Sequence, residues 1–151
     1  MKTYSPFFFL ISFAPYFLCA QPDLSIKVDH IAIVVSDLEE SANFYQEILG
    51  MEEIKNETGK PNIRWFAFGD QRELHLLEGD ISEVKLNKSV HLALRTDDLD
   101  GMVEYLKEKN YPFENWYGDK NTTNDRPDGV RQIYLQDPDA YWIEVNDDWR
   151  K

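Results

Sequence analysis

Two histidines occupy matching positions in a repeated segment of the chain. Residues 28–38 and 89–99 align at one offset of 61 residues, so that His30 falls on His91. In each copy an apolar segment with β-branched residues carries the histidine near its start and ends in Asp-Leu. Such a repeat indicates a fold built from two copies of one unit, each with a histidine at the same place.

The third histidine and one glutamate fall at the remaining equivalent positions. Aligning the closing strand of each copy sets His75 over Glu144, so the copies offer His30 with His75 and His91 with Glu144. Three imidazoles and one carboxylate form a donor set that zinc, nickel, iron or manganese accepts. Any single histidine in a strand is commonly a hydrogen-bonded core or rim residue, and Glu144 fits a solvent-exposed position equally well. The conjunction of all four favours a metal site.

The apolar pattern predicts the same element order in both copies, namely a strand, a helix and three strands. Alternation over residues 26–35 places His30 on one face of the first strand, together with Ala32 and Val34, and the isoleucines on the other face. Helices follow over residues 38–49 and 98–109. The other predicted segments are strands at 51–57, 63–68, 73–77, 90–96, 113–117, 130–135 and 141–145, and a long polar loop at 118–129.

The first twenty residues have the layout of a secretory signal peptide. Lys2 precedes an apolar run over residues 7–18, and small residues lead up to Ala20. We expect cleavage after Ala20, a leader over residues 21–27, and export to the periplasm or the medium. A lipid anchor on Cys19 is the alternative, which Leu18 disfavours because lipidation signals have a very small residue at that place.

Composition limits the partners of the chain. The 151 residues carry a net charge of −12, which disfavours nucleic acid and anionic membranes as partners. The only cysteine lies in the predicted signal, so we expect no disulfide and no thiol nucleophile after cleavage. The remaining length suffices for one domain over residues 28–147, made of modules 28–79 and 89–147.

Several motifs together resemble the vicinal oxygen chelate superfamily. This superfamily includes glyoxalase I, bleomycin-resistance proteins, fosfomycin-resistance thiol transferases, methylmalonyl-CoA epimerase and extradiol dioxygenases. The resemblance implies an α+β fold of two tandem βαβββ modules forming a partly open mixed barrel around a metal site. The residues that carry it are His30-Ile31-Ala32-Ile33, Asp37-Leu38, Phe44-Tyr45, Leu49-Gly50-Met51, His91-Leu92-Ala93-Leu94 and Asp137-Pro138-Asp139-Ala140-Tyr141-Trp142-Ile143-Glu144.

The resemblance also assigns roles to the candidate residues. His30, His91 and Glu144 match metal ligands shared by many members, and His75 matches a fourth position where glyoxalase I usually has a carboxylate. It implies a glyoxalase-like lyase or isomerase in which one divalent ion holds two neighbouring substrate oxygens and Glu144 moves the proton. Dimers are common among members, so a homodimer is a further expectation.

Departures from the family pattern leave other functions open. Val34 stands where glutathione-using relatives tend to carry an arginine, which with export argues against lactoylglutathione lyase itself. Ala140 stands where the closing turn usually has glycine. The alternatives are an iron-dependent extradiol-type dioxygenase and a non-catalytic binding protein of the bleomycin-resistance type.

Aromatic and basic side chains near the expected inner surface are candidates for substrate contacts. The ordinary alternative for each aromatic residue is a place in the core, and for each arginine a solvated surface position. The candidates are Trp65, Phe66, Phe68, Trp116, Tyr117, Tyr134, Arg64, Arg126 and Arg131.

Overall fold

The computed structural model describes residues 25–69 and 72–150, which form two modules. The predicted signal peptide lies outside the described residues, and none of the helices within them is long and apolar enough to cross a membrane. The first module contains β1 (His30–Val35), α1 (Leu38–Glu47), β2 (Glu52–Ile54), β3 (Ile63–Ala67) and β4 (Glu73–Glu78). The second contains β5 (His91–Arg95), α2 (Leu99–Glu108), β6 (Phe113–Glu114), β7 (Asn124–Asp125), β8 (Arg131–Gln136) and β9 (Trp142–Asn146).

Each module forms one open sheet, with strand order β1-β4-β3-β2 in the first and β5-β9-β8-β6 in the second. β1 runs parallel to β4 and β5 parallel to β9, whereas the other pairs are antiparallel. The predicted α+β class with βαβββ modules is confirmed. β7 departs from the prediction of a continuous loop over residues 118–129, because a two-residue strand pairing with β8 is too short to produce an apolar alternation.

The repeated Asp-Leu pair marks the start of each helix. The side chain of Asp37 accepts hydrogen bonds from the backbone N–H groups of Glu39 and Glu40 at 3.0 and 2.9 Å. Asp98 accepts from the N–H of Gly101 at 2.8 Å. These caps satisfy N–H groups that have no partner inside the helix. The leucine that follows each aspartate is buried, so the pair both begins the helix and anchors it.

One apolar core contains side chains from both modules. Polar contacts also join the modules around the turn between β8 and β9. The hydroxyl of Tyr45 donates to Asp137 at 3.0 Å, and the hydroxyl of Tyr141 donates to the carbonyl of Val34 at 2.9 Å. The buried carboxylate of Asp139 accepts from the backbone N–H of Ser36 at 2.9 Å. The modules therefore pack through the sheet faces that carry the helices.

The histidines lie on the other face of each sheet. Ile31, Ile33 and Val35 of β1 pack in or against the core, whereas His30 and Ala32 are exposed, which confirms the predicted alternation. The strand register also confirms the predicted equivalence of the closing strands. His75 lies beside Ala32 on the neighbouring strand, just as Glu144 lies beside Ala93.

Candidate metal centre

His91 and Glu144 form the first half of the candidate site. The Nε2 atom of His91 lies 3.2 Å from Oε2 of Glu144, and its Nδ1 atom lies 2.7 Å from the carbonyl oxygen of Lys88. A carbonyl oxygen only accepts hydrogen bonds, so Nδ1 of His91 carries a proton, and in the tautomer without a second proton Nε2 offers its lone pair toward Glu144. Two electron-rich atoms therefore face each other across a gap that suits a shared cation.

Glu144 is held in place by three donors. It is only 4% exposed, on β9. Asn146 donates to Oε1 at 2.7 Å, and Nη1 of Arg126 lies 3.4 Å from the same oxygen. Tyr134 donates its hydroxyl to Oε2. Burial and, after it, the hydrogen bond to Glu144 raise the pKa of Tyr134, so this hydroxyl stays protonated and keeps donating.

His30, His75 and Trp65 form the second half as a stack of three rings. The centroids of His75 and Trp65 are 4.1 Å apart, and those of His30 and His75 are 4.3 Å apart with planes inclined by 14°. Nδ1 of His30 donates to Asp29, and Nε2 of His75 donates to Glu73, each at 2.7 Å. The stack thus leaves Nε2 of His30 and Nδ1 of His75 as the nitrogens for any further ligand.

The structure brings the four predicted ligands together as two pairs and does not place them around one common point. Within residues 25–69 and 72–150 of a single chain, no group of three or more His, Cys, Asp or Glu side chains is arranged to hold a metal ion. Because the modules pack through their helical faces, a single chain holds these residues as two half-sites. A metal bound by His30, His75, His91 and Glu144 stays a prediction.

The His91–Glu144 pair nevertheless fits a divalent ion by its own geometry. Two ligands with bonds of about 2.0–2.1 Å to one ion lie about 3.0–3.4 Å apart at ordinary coordination angles. The observed 3.2 Å falls in this range. The bond from Nδ1 of His91 to a backbone carbonyl also matches the support that metal-bound histidines usually receive.

A pocket of about 450 Å³ adjoins Glu144 on the second module. Tyr134 and Gln132 of β8 form its floor beside Glu144, while Trp116 and Arg126 reach it from the segment between β6 and β8. The pocket therefore extends from the carboxylate of the candidate metal centre toward solvent, where a small molecule can enter.

The predicted aromatic and basic contacts divide into three groups. Phe66 is buried in the core and Phe68 packs against it. Both therefore serve the core and do not contact a substrate. Arg64 pairs with Glu39 and Glu53, and Arg131 pairs with Asp100 and Asp147, so both serve surface ion pairs. The third group adjoins the two half-sites and contains Trp65, Trp116, Tyr117, Tyr134 and Arg126.

Sequence reasoning did not single out Lys88, Gln132 or Asn146. Gln132 and Asn146 lie on the same sheet face as Glu144, each two residues along its strand from Tyr134 or Glu144. Strand alternation could therefore have predicted that both face the site. No strand alternation predicts a position near the site for Lys88, because it lies in the loop before β5. Its carbonyl accepts from His91, and its ammonium lies 4.7 Å from the ring centroid of Trp142 and bonds to Glu114.

Family membership follows from comparison with known sequences. A sequence model of the Glyoxalase/Bleomycin resistance protein/Dioxygenase superfamily matches residues 27–145, which covers both modules and both half-sites. The chain belongs to this superfamily. The resemblance to vicinal oxygen chelate (VOC) proteins is thereby confirmed.

The proteins similar to this VOC protein carry names that state different activities or none. "Uncharacterized protein YwbC" of Bacillus subtilis is 34% identical over 124 residues, which cover 78% of this chain and 94% of the relative. The manganese-dependent 2,3-dihydroxybiphenyl 1,2-dioxygenase of Geobacillus genomosp. 3 is 30% identical over 86 residues, but these cover only 55% of this chain and 26% of the dioxygenase. The crystal structure of a glyoxalase/dioxygenase from Nostoc punctiforme is 25% identical with a TM-score of 0.67, and the match covers 85% of this chain and 94% of that one.

Proposed function

We propose that this VOC protein is a metal-dependent enzyme of the glyoxalase-like lyase or isomerase type. Its substrate is a small molecule with two neighbouring oxygens, and one divalent ion is held by His30, His91 and Glu144. The proposal rests on one observation, the distance of 3.2 Å between Nε2 of His91 and Oε2 of Glu144. A zinc, nickel, iron or manganese ion at this place supplies Lewis-acid stabilisation of an oxyanion.

Glu144 is the residue of this chain that moves a proton. Its carboxylate borders the pocket, so a substrate C–H placed there lies within reach of Oε1 or Oε2. Tyr134 and Asn146 hold the carboxylate in position by donating hydrogen bonds to it. These supporting bonds restrict Glu144 to one orientation.

A second copy of the chain completes the site in this proposal. A single chain leaves His30 in one half-site and His91 with Glu144 in the other. The face around His30 is open, with 44% of its side chain exposed, although the same face also carries apolar side chains such as Ile63 and Leu77. A two-fold dimer that places this face on the His91 face of the partner creates two complete sites.

Subunit complementation tests this arrangement. His30→Ala and His91→Ala variants each lose bound metal in elemental analysis, because each breaks both sites of a homodimer. A mixture unfolded and refolded together forms heterodimers with one intact site, which restores roughly a quarter of the wild-type metal content by random pairing. A mixture that binds no more metal than its components contradicts a site shared between chains.

Proton exchange tests the reaction class. With metal-loaded protein in heavy water, we expect deuterium to enter the carbon next to the carbonyl of hydroxyacetone, followed by NMR. Glu144→Gln removes the base and abolishes the exchange. Lys85→Met, a charge change at an exposed residue that belongs to neither half-site, is the control that retains it. Metal-loaded wild-type protein without exchange contradicts a lyase or isomerase role.

A ring-cleaving dioxygenase is the second candidate, because the ligand set of the first proposal also suits it. If His75 acts only as a stacking partner, two histidines and one glutamate remain, which is the ligand set of iron- and manganese-type oxygenases. The relative named as a manganese-dependent dioxygenase supports the same direction. Oxygen uptake with catechol by the iron- or manganese-loaded protein distinguishes it from the first candidate.

A further inference from the structure

One residue that lines the pocket beside Glu144 has a buried polar atom without a partner. Gln132 of β8 is 4% exposed and lines the pocket. Among the buried side-chain nitrogen and oxygen atoms of residues 25–69 and 72–150, only its Oε1 makes no hydrogen bond. Buried acceptors are almost always satisfied, so an unpaired one at a pocket wall is a place where a ligand donates a hydrogen bond.

Arg126 provides the positive charge in the same pocket. Its Nη2 atom donates to Asp128 at 2.6 Å, and Arg150 donates to the same carboxylate oxygen at 2.9 Å. The guanidinium of Arg126 is charged, as arginine side chains in proteins are. Because its contact with Glu144 is long, at 3.4 Å, the guanidinium retains donor capacity for a ligand anion.

Two aromatic side chains complete the wall on the solvent side. Trp116 is 40% exposed and Tyr117 is 76% exposed. Both line the pocket, and the indole of Trp116 lies 5.6 Å from the ring of Tyr134 between centroids. Exposed aromatic faces beside a pocket suit stacking with a flat ring.

We propose that this pocket binds a hydroxylated aromatic carboxylate. The hydroxyl group donates to Oε1 of Gln132, the carboxylate accepts from Arg126, and the ring packs against Trp116 and Tyr117. The inference rests on the proposed function, since it names the substrate class of the same site, and it places the ligand next to Glu144.

Matched ligands test each contact on the full protein as purified. The probe is 3-hydroxybenzoate, which has no pair of adjacent hydroxyls and therefore reports the pocket more than metal chelation. Benzoate lacks the donor and phenol lacks the carboxylate. By calorimetry we expect each to bind about tenfold more weakly than 3-hydroxybenzoate. Equal affinity of either compound with 3-hydroxybenzoate, or no binding of any at millimolar concentration, overturns the proposal.

Two variants show which residue causes the preference for 3-hydroxybenzoate over benzoate and which causes the preference over phenol. Gln132→Met keeps the length of the side chain and removes the acceptor, so 3-hydroxybenzoate and benzoate then bind equally. Arg126→Met abolishes the preference over phenol, whereas the exposed control Lys85→Met leaves both preferences unchanged. Metal content is measured on the same wild-type preparation. Metal without ligand preference refutes this inference alone, and ligand preference without metal refutes the proposed function alone.

Discussion

His75 stacks on His30, with ring centroids 4.3 Å apart and planes inclined by only 14°. Nitrogen lone pairs lie in the plane of an imidazole ring, so two stacked and nearly parallel rings do not direct their lone pairs at one ion about 2 Å from each. Trp65 covers the other face of His75 at 4.1 Å. From this geometry we expect His75 to support the orientation of His30, and its role as a fourth ligand stays a prediction.

His75→Phe separates these two roles. Phenylalanine keeps a flat ring between Trp65 and His30 and has no nitrogen, so we expect the variant to retain metal in elemental analysis with less than a tenfold loss of affinity. His75→Ala, which removes the ring, weakens metal binding more because His30 loses its support. Metal loss in His75→Phe as complete as in His91→Ala identifies His75 as a ligand.

Tyr45→Phe tests the contact between the modules. The variant removes the hydroxyl that donates to Asp137 at 3.0 Å and leaves a buried carboxylate with one donor fewer. We expect the free energy of unfolding in urea to fall by about 1–3 kcal/mol. Tyr105→Phe is the matched control, because its hydroxyl also joins the modules, at the carbonyl of Glu47, but near solvent. Equal losses in both variants contradict a special role for the buried contact.

Asp137 makes the stability depend on pH in an unusual direction. Burial raises the pKa of its carboxyl from 3.8 to about 6, against the hydrogen bonds from Tyr141 and Tyr45 that lower it. The folded protein therefore binds this proton more readily than the unfolded chain. The contribution of this group to stability is complete below pH 3.8 and is lost as the pH rises through about 6.

Asp137→Asn isolates that contribution. Relative to the variant, the wild-type protein loses on the order of 2–3 kcal/mol of unfolding free energy between pH 4 and pH 7. Urea unfolding of both proteins across this range gives the difference directly. A difference that stays constant, or one that grows in favour of the wild type with rising pH, contradicts the raised pKa.

Ala140→Gly tests backbone strain in the turn between β8 and β9. Ala140 has a φ of 67°, in the left-handed region that glycine adopts without steric cost. We expect the substitution to raise the free energy of unfolding by about 0.5–1 kcal/mol, measured in urea. Pro138→Ala in the same turn relieves no such strain and is the comparison. A less stable Ala140→Gly protein shows that chain flexibility outweighs the strain.

Export is a proposal that the N-terminal sequence supports. When the full chain is expressed in a bacterial host, we expect the mass of the mature protein to correspond to cleavage after Ala20. Cys19→Ser leaves this product unchanged, because the cysteine departs with the signal. A lipidated product that begins at Cys19 and disappears in Cys19→Ser contradicts this proposal.

Local features of the sequence determined the modules of this protein. The repeat predicted the equivalent places of His30 and His91, and strand alternation predicted the faces on which they lie, because both depend on residues close together in the chain. The same reasoning placed His75 and Glu144 at matching register positions, which the strand pairing confirms. Family membership follows from these same motifs.

Only the tertiary structure decided how the modules meet and what surrounds each half-site. The modules join through contacts such as Tyr45 with Asp137, which are 92 residues apart, and this packing leaves the His30–His75 pair and the His91–Glu144 pair as separate half-sites. The ring stack at His75 and the unpaired oxygen of Gln132 likewise depend on side chains from different strands and loops. Periodicity assigns a residue to a face, but the neighbours of that face depend on shape and polar complementarity between distant segments, which no local pattern contains.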